Sequence, residues 1–461
     1  MSNASLWSLN DIAAATGGTA VGQASISGLV IDSREARGGD LFIPLKDKRD
    51  GHDFIDAAFK SGASAALSEI DLGTRPHVRV ADSFKAMQDM AIAARERSGA
   101  LRVGVTGSVG KTSIKEMIAA IFDSQGPSHK SVRSFNNHWG VPLTMARMPQ
   151  ATQRAVFEMG MNHAGELSEL SGLLQPDIAV VSLIAPAHLA HFENVDAIAA
   201  AKAEIFDGLK AGGTAVLNRD DDYFDRHSKA ASARQAKIVS FGQNAAADIR
   251  ISDIDIQSTQ SHAHISFEGR GYALTIPAVG AHWLQNAAAA LAVTVNTGIS
   301  MDDAIAALAG YDIPQGRGAA FDAVIDGKRV RILDESYNAN PTSMRAAIAS
   351  AAQQADGRLL AVLGDMFELG KDEVALHAAL APDLAAANVS RIIFTGECMR
   401  GLRGAVKREQ RGPWVHDADG AFAALQLEIE SGDTVLIKGS NASGLGALVH
   451  MIRSIKDEGN I

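Results

Sequence analysis

Short apolar runs alternate with amphipathic helical stretches along the chain, and this alternation predicts an α/β fold. In the first hundred residues the pattern predicts a helix at 9–16, strands at 27–31 and 40–45, helices at 54–60 and 84–97, and a strand at 101–105. Brief apolar strands of this kind are typical of parallel sheets whose two faces are both covered.

The middle of the chain continues this alternation and then changes period. Strands are predicted at 154–159, 178–184 and 214–218, and a helix at 282–296. Between them, residues 246–276 alternate apolar and polar positions with a period of two, which indicates an antiparallel extension of the same sheet.

The last third of the chain predicts a separate open α/β sheet. Its strands are expected at 329–333, 359–363, 391–395 and 434–437, with alanine-rich helical tracts between them. A chain of 461 residues exceeds what one hydrophobic core usually serves. We therefore predict three domains, at residues 1–82, 83–312 and 313–461.

Composition narrows the possible functions. The chain is 46% hydrophobic and 21% charged, which is ordinary for a globular protein. We find no apolar run long enough for a membrane span and no signal peptide, so a cytoplasmic location is expected. A net charge of −10 argues against nucleic acid as a partner. Cys398 is the single cysteine, which excludes an internal disulfide and agrees with a reducing compartment.

Residues 104–113, Gly-Val-Thr-Gly-Ser-Val-Gly-Lys-Thr-Ser, carry the most specific chemistry. They lie between a predicted strand and an uninterrupted helix, the setting of a loop whose backbone N–H groups hold phosphates. Lys111 would reach the β- and γ-phosphates of a nucleotide, and the Thr112 hydroxyl would bind Mg²⁺. The usual pattern has a glycine where this chain has Val105, so the loop is a variant; a glycine-rich turn that binds nothing is the alternative.

We call residues 107–113 the phosphate loop. The nucleotide contacts predicted from it are Gly107, Ser108, Val109, Gly110, Lys111, Thr112 and Ser113.

Polar residues at other strand ends are further candidates. Glu158 closes an apolar run, where a Mg²⁺ ligand or an ordinary strand-terminal glutamate could stand. His188 follows the strand at 178–184, at the edge where open α/β sheets bind ligands. Lys202 lies on an amphipathic helix, and by itself it indicates a solvated lysine.

Two polar segments have a structural and a functional interpretation. Residues 136–142 begin with Asn136 and Asn137 and are typical of turn and capping chemistry. Residues 334–341 follow a strand and open a helix, so they could form only a loop and cap. Their several hydrogen-bonding side chains at a strand's carboxyl end also suit a polar ligand.

Together these stretches resemble the Mur ligase family, the ATP-dependent amide-forming enzymes of bacterial peptidoglycan precursor synthesis. The resemblance covers nearly the whole chain, and the family's phosphate loop has the same departure at Val105. Within the family, residues 32–34, 39–42, 137–142, 185–188, 336–341 and 364–370 are most similar to the branch that joins D-alanyl-D-alanine to UDP-N-acetylmuramoyl-tripeptide. Trp283 and Asn441 depart from the family pattern, which usually has asparagine and arginine there.

The resemblance implies a small α/β N-terminal substrate domain, a central phosphate-loop mononucleotide-binding domain with a mostly parallel sheet, and a C-terminal Rossmann-like α/β domain. It implies ATP and two Mg²⁺ ions as cofactors and a monomeric enzyme. Implied catalytic residues are Lys111, His188 and Lys202. Implied metal ligands are Thr112, Glu158, His188 and, if carbamylated, Lys202; a carbamate would supply the hard oxygen that Mg²⁺ prefers.

The remaining implied contacts divide between nucleotide and substrates. Further nucleotide contacts fall at Asn286, Arg317 and Asp334. Substrate contacts fall at Ser33, Arg34, Asn137, Tyr337, Asn338 and Asn340.

Several other functions stay open at this point. The chain could be a different Mur-type or folylpolyglutamate-type amide ligase, although residues 32–34 and 337–340 argue against this. A phosphate-loop kinase or nucleotide switch would leave the first and third domains unexplained. A degenerate ligase that only binds its ligands is a further alternative, although Lys111, Thr112 and Glu158 are all present.

Overall fold

Among the residues that the structure describes, three sheets of five, nine and six strands form the frame of the protein, with a further two-stranded pair near its beginning. The computed structural model describes residues 5–132, 135–187 and 189–458. Within these ranges, no helix combines the length and the apolar character that crossing a bilayer requires.

The first unit is a small α/β layer. Its elements are β1 (Trp7–Ser8), α1 (Leu9–Thr16), β2 (Thr19–Val21), β3 (Ser25–Ile26), β4 (Gly28–Val30), β5 (Asp40–Phe42), α2 (Ile55–Ser61), β6 (Ala65–Ser68) and β7 (His77–Arg79). The sheet order is β2-β7-β6-β5-β4, parallel except for β2. Helix α1 begins at a capping box between Ser8 and Asp11 and ends at Gly17 with φ +67°.

The central unit contains the nine-stranded sheet. Its elements are α3 (Ser83–Arg97), β8 (Leu101–Thr106), α4 (Lys111–Asp123), β9 (Ser128–Lys130), α5 (Gly140–Ala146), β10 (Arg154–Glu158), α6 (Glu166–Leu174), β11 (Ile178–Val181), α7 (Val195–Ala203), β12 (Thr214–Asn218), α8 (Phe224–Ala233), β13 (Lys237–Gly242), β14 (Ile249–Ile256), β15 (Ser261–Phe267), β16 (Arg270–Ile276), α9 (Ala281–Thr294) and α10 (Met301–Ala309).

Successive residues of the central strands enter different cores because both faces of the sheet are covered. Val180 belongs to the core under α4 and α9, whereas its neighbour Val181 belongs to the core under α6 and α7. The strand order is β16-β15-β14-β13-β12-β11-β8-β10-β9. Strands β15 and β16 are antiparallel, so the extension predicted from the period-two pattern is confirmed.

The third unit is an open sheet with helices on both faces. Its elements are β17 (Ala319–Ile325), β18 (Lys328–Glu335), α11 (Pro341–Gln354), β19 (Leu359–Gly364), α12 (Glu373–Ala378), α13 (Ala381–Ala386), β20 (Val389–Thr395), α14 (Met399–Ala405), β21 (Arg411–Val415), α15 (Ala418–Glu428), β22 (Thr434–Lys438) and α16 (Leu445–Glu458). The order is β17-β18-β22-β19-β20-β21, parallel except for β17.

Short 3₁₀ helices complete the secondary structure. They are Gly51–Phe54, Glu204–Phe206, Gly370–Asp372, Arg408–Gln410 and Asn441–Ser443.

Several strands have no counterpart in the sequence prediction, and three of them, β9, β17 and β21, each lie at a sheet edge. β9 is a short, half-buried strand at one edge of the nine-stranded sheet. β17 lies at one edge of the six-stranded sheet, and its exposed positions alternate with partly or fully buried ones. β21 contains Pro413, which an edge strand tolerates because one of its sides needs no N–H donor. Weak apolar content and a proline therefore hide these strands from a pattern that detects buried strands.

Helix α3 joins the first two units. The sequence prediction assigns it to the central domain, but Met87, Met90 and Ala94 pack in one core with Ile12 of the first unit and Leu143 of α5. The predicted boundary at residue 82 therefore passes beside a helix that both units share.

Trp7 packs in the first unit and contacts α5, and we expect its removal to lower the free energy of unfolding. The indole is 3% exposed, donates from Nε1 to the Ala146 carbonyl at 2.9 Å, and lies 3.7 Å beneath the Arg97 guanidinium. We expect Trp7→Ala to reduce the free energy of unfolding by about 3–5 kcal/mol, and Trp7→Phe by less, in urea titrations. Leu427→Ala, at a fully solvated site, serves as control; an unchanged Trp7→Ala midpoint would contradict this role.

Candidate active site

A cleft of about 560 Å³ opens between the central and third units. Residues 108–113, the carboxyl ends of β10 to β13 and the first turns of α9 form one wall. Residues 316–317, the segment after β18, the start of α11 and the end of β22 form the other. The described residues of the first unit contribute nothing to this lining.

The phosphate loop has a backbone that only glycine permits at two points. Gly107 and Gly110 have φ values of +144° and +86°, and a Cβ on Gly107 would lie 1.8 Å from Ser182 Oγ. Ser182 Oγ donates to the Val109 carbonyl at 2.6 Å, which holds the loop against β11. The last three residues of the loop form the first turn of α4, so backbone N–H groups and the positive end of the helix face the cleft.

Thr112 and Glu158 form an oxygen-rich pair beside the loop. Thr112 Oγ1 donates to Glu158 Oε2 at 2.6 Å, and Asn136 Nδ2 donates to Glu158 Oε1 at 2.8 Å. Glu158 is 1% exposed. A hydroxyl and a buried carboxylate next to a phosphate site are donors of the type that Mg²⁺ takes, so these residues fit a metal ion.

Asn136 lines the cleft, whereas the predicted Asn137 does not. The Asn137 Oδ1 accepts from the backbone N–H groups of Trp139 and Gly140 at the start of α5. Asn137 therefore has the helix-capping geometry that its sequence also allowed. Asn136 instead contacts Glu158, the carboxylate that fits a metal ion.

Lys202 is a buried amine with no hydrogen-bond partner among the described residues. Burial lowers its pKa well below the ordinary value, and the positive charge of Lys111 lowers it further. The side chain is therefore not the solvated lysine that its helix alone suggested. His188 lies outside the described residues, so its predicted roles stay predictions.

Lys111 lies at the centre of the cleft's positive charge. Its Nζ donates to the Gly107 carbonyl at 2.7 Å. Burial lowers the pKa of Lys111; Glu158 opposes this shift, and the Arg317 guanidinium adds to it. Lys111 and Arg317 therefore bring positive charge from two different units to the same part of the cleft.

The third unit contributes residues that the sequence predicted and, among those that it did not, one pair of opposite charge. Tyr337, Asn338 and Asn340 line the cleft, and the Arg317 guanidinium lies 4.3 Å from the Tyr337 ring centre. The unpredicted pair is Lys438 and Glu335, whose Nζ and Oε2 are 3.2 Å apart; Lys438 also donates to the Asn338 carbonyl at 2.9 Å. They face each other because β18 and β22 are neighbours in register.

Asp334 is buried beside the cleft but does not line it. Its Oδ2 accepts from Gly316 N at 2.9 Å, and its Oδ1 accepts from Ser336 Oγ at 2.7 Å. Arg453 lies 3.7 Å away. This geometry makes Asp334 a support for Gly316 and Ser336, and the nucleotide contact that the resemblance implied stays a prediction.

Asn286 lies against the phosphate loop, with its Oδ1 2.6 Å from where a Cβ on Gly110 would stand. His282 and Trp283 precede it on the same wall, and Asn441 faces them from the third unit. Both positions that depart from the family pattern therefore line the cleft.

Ser33 and Arg34 are not part of the cleft. Ser33 is buried in the first unit, and Arg34 is exposed and paired with Asp32 through Nε at 2.9 Å and Nη2 at 2.6 Å. The pairing holds the pKa of Asp32 below its ordinary value. Any substrate contact from these residues would belong to a second, separate region.

The fold and the cleft define a three-unit α/β protein with a phosphate loop at a domain junction. Residues 105–294 match the Mur ligase middle domain, and residues 321–441 match the Mur ligase, glutamate ligase domain. The chain is 32% identical to UDP-N-acetylmuramoyl-tripeptide--D-alanyl-D-alanine ligase of Bacillus subtilis (strain 168), over 93% of each chain. The protein belongs to the Mur ligase family.

Solved structures agree with this assignment. A crystal structure of MurF from Acinetobacter baumannii superposes with a TM-score of 0.85 at 28% identity, covering 97% of this chain and 99% of that one. A MurF ligase from Thermotoga maritima in complex with ADP gives a TM-score of 0.78 at 26% identity, covering 94% and 98%. The predicted three-domain α/β fold is thereby confirmed.

The buried Lys202 amine is expected to make stability depend on pH. Its pKa is lowered in the folded protein, so the unfolded chain binds more protons below about pH 10.4 and stability rises with pH. Relative to Lys202→Met, the wild type should gain up to about 1.4 kcal/mol per pH unit in CO₂-free buffer, over the interval between the lowered pKa of the folded protein and about pH 10.4. Urea titrations of both proteins measure this, and a difference that does not change with pH would contradict the lowered pKa.

Proposed function

We propose that this protein joins D-alanyl-D-alanine to UDP-N-acetylmuramoyl-tripeptide with ATP, in peptidoglycan precursor synthesis. The observation that carries the proposal is the junction cleft, where a phosphate loop, the Thr112–Glu158 pair and the third unit's Arg317 meet. Relatives with that activity in their names match nearly the full chain. A monomer in the cytoplasm belongs to the same proposal.

The chemistry follows from bringing two anions together. A carboxylate oxygen of the tripeptide attacks the γ-phosphate of ATP, which gives an acyl phosphate and ADP. The dipeptide amine then attacks the acyl carbon, loses a proton, and releases inorganic phosphate. Lys111 and Arg317 offset the repulsion between carboxylate and phosphate, and the loop's N–H groups orient the transferred group.

Mg²⁺ would be held by Thr112 and Glu158, where it would neutralise phosphate charge. A second ion would be held by His188 and a carbamate on Lys202. An unpartnered amine with a lowered pKa fits that modification, because an amine attacks CO₂ only when it is unprotonated. The third unit excludes water from the acyl phosphate by covering the cleft.

The ligase assignment predicts nucleotide turnover that depends on both substrates. With ATP, Mg²⁺ and UDP-N-acetylmuramoyl-tripeptide, we expect D-alanyl-D-alanine to stimulate sustained phosphate release at least about tenfold. Lys111→Ala should lower the rate by about 10²- to 10³-fold, because one charge-stabilising group is lost.

Lys130→Ala is the control, since this half-exposed lysine pairs with Glu116 outside the cleft lining. It should retain nearly full activity. Phosphate release that ignores both substrates would instead identify a hydrolase or nucleotide switch, and phosphate transfer to a stable product without dipeptide would identify a kinase.

The carbamate proposal predicts one labelled lysine. In ¹³CO₂-bicarbonate buffer, the wild type should show a carbamate ¹³C resonance that Lys202→Arg lacks. Lys115 is an internal comparison: it is equally buried, but its Nζ donates to the Ser131 carbonyl at 2.9 Å and lies 2.6 Å from Glu116. Lys115→Met should therefore keep the signal. Loss of the signal in Lys115→Met and its survival in Lys202→Arg would refute the assignment.

A further inference from the structure

A loop of the third unit touches the central unit outside the cleft lining, and we call its residues 365–370 the contact loop. The Ala190 backbone N–H donates to the Glu368 carbonyl at 3.0 Å. A Cβ on Gly370 would lie 3.1 Å from the Leu189 carbonyl oxygen. Backbone meets backbone at both points, so the contact depends on where the loop is held rather than on which side chains it carries.

The contact loop has a backbone shape that its own sequence does not favour. Glu368 has a φ of +65°, in the left-handed region that residues with a Cβ rarely adopt. Such a conformation persists only where the surrounding structure fixes it, and it is often found at functional sites. Met366 and Leu369 anchor the loop as buried apolar side chains, but they do not orient its N–H groups. That orientation comes from polar side chains outside the loop.

His377 in α12 is fully buried and holds the contact loop through one ring nitrogen. Its Nε2 accepts from the Met366 backbone N–H at 2.8 Å, and its Nδ1 donates to the Glu373 carbonyl at 2.6 Å. A backbone N–H can only donate and a carbonyl can only accept, so both bonds require a neutral imidazole with its proton on Nδ1. The nearby Asp365 Oδ1, 3.9 Å from Nε2, already accepts from the Met399 N–H at 2.9 Å.

Ser440 holds the same loop from the side of β22. Its Oγ accepts from the Phe367 N–H at 3.1 Å, and its own N–H donates to the Asp365 carbonyl at 3.1 Å. Ser440 is two residues beyond Lys438, which lines the cleft. The contact loop is therefore tied both to α12 and to the strand end that carries a cleft residue.

We propose that His377 is a positioning residue for the ligation: as a neutral imidazole it holds the contact loop against residues 189–190, and so keeps the third unit over the acyl phosphate. This role rests on the proposed function. Water that reached the acyl phosphate would attack it and break the bond between acyl group and phosphate. The products would be the tripeptide carboxylate, inorganic phosphate and a proton, so ATP would be consumed without amide formation.

Two substitutions separate the two hydrogen bonds of the ring. His377→Gln places an amide oxygen where Nε2 lies, so it can still accept from the Met366 N–H. His377→Asn reaches only the position of Nδ1, so it keeps the bond to the Glu373 carbonyl and loses the loop. Both remove the ring, which makes each the matched control for the other.

Hydrogen exchange of the ligand-free protein, measured with residue resolution, tests the effect on the contact. In His377→Asn, the Met366 and Ala190 amides should exchange at least about fivefold faster than in the wild type, and in His377→Gln less than about twofold faster. The amides of β20, in the same sheet, should keep their protection. A faster Met366 amide with an unchanged Ala190 amide would overturn the proposal.

Ser440→Ala decides the matter if His377→Asn also loses protection in β20. It removes the second hold on the contact loop without any change in α12, and it should likewise speed exchange of the Ala190 amide at least about fivefold. An Ala190 amide that stays protected in this variant would show that holding the loop does not maintain the contact, and the proposal would fail.

The effect on the reaction is measured as the ratio of phosphate released to amide formed. His377→Asn should raise this ratio at least about twofold, and His377→Gln should leave it near the wild-type value. A variant that is merely less stable lowers both rates together and leaves the ratio unchanged, which would overturn the positioning role. If the wild type formed no amide at all, the ligase proposal would fail, and the exchange result would still report on the contact.

Discussion

Concentrated positive charge at a domain junction is the constraint on which the rest of the structure depends. Lys111 and Arg317 come from different units, and the Arg317 charge adds to the lowering of the Lys111 pKa. Burying like charges together is costly unless a counter-charge joins them. A polyphosphate supplies that counter-charge locally, although the chain as a whole carries a net charge of −10.

The third unit also contacts the central unit through hydrogen bonds outside the cleft lining. On one side, Ser350 Oγ of α11 donates to the Val279 carbonyl at 2.6 Å. On the other, Ala190 N donates to the carbonyl of Glu368, which has a left-handed φ of +65°. The second contact lies between two loops, so it can break without disturbing either core, as admission of substrates and release of products require.

Local chemistry was predictable from the sequence, and pairings across space were not. The phosphate loop, Glu158 and residues 337–340 could be recognised because their residue types and spacing form a pattern within a few positions of the sequence. Lys438 and Glu335 are about a hundred residues apart and meet only through the register of β18 and β22. Asn136 and Asn137 are chemically identical neighbours, so only the backbone decides which one turns toward Glu158.

The separation of Arg34 from the cleft bears on how a long substrate would be held. On the proposed function, the uridine diphosphate end would lie at the first unit while the tripeptide carboxylate reaches Lys111, so one extended molecule would span two regions. Arg34 already pairs with Asp32 through two hydrogen bonds, and an incoming diphosphate would have to take its place. Exposed ion pairs contribute little to stability, so this exchange costs little. Binding at the first unit would then depend mainly on contacts with the uridine and on shape complementarity. Charge would be decisive only at the cleft, where the reaction takes place.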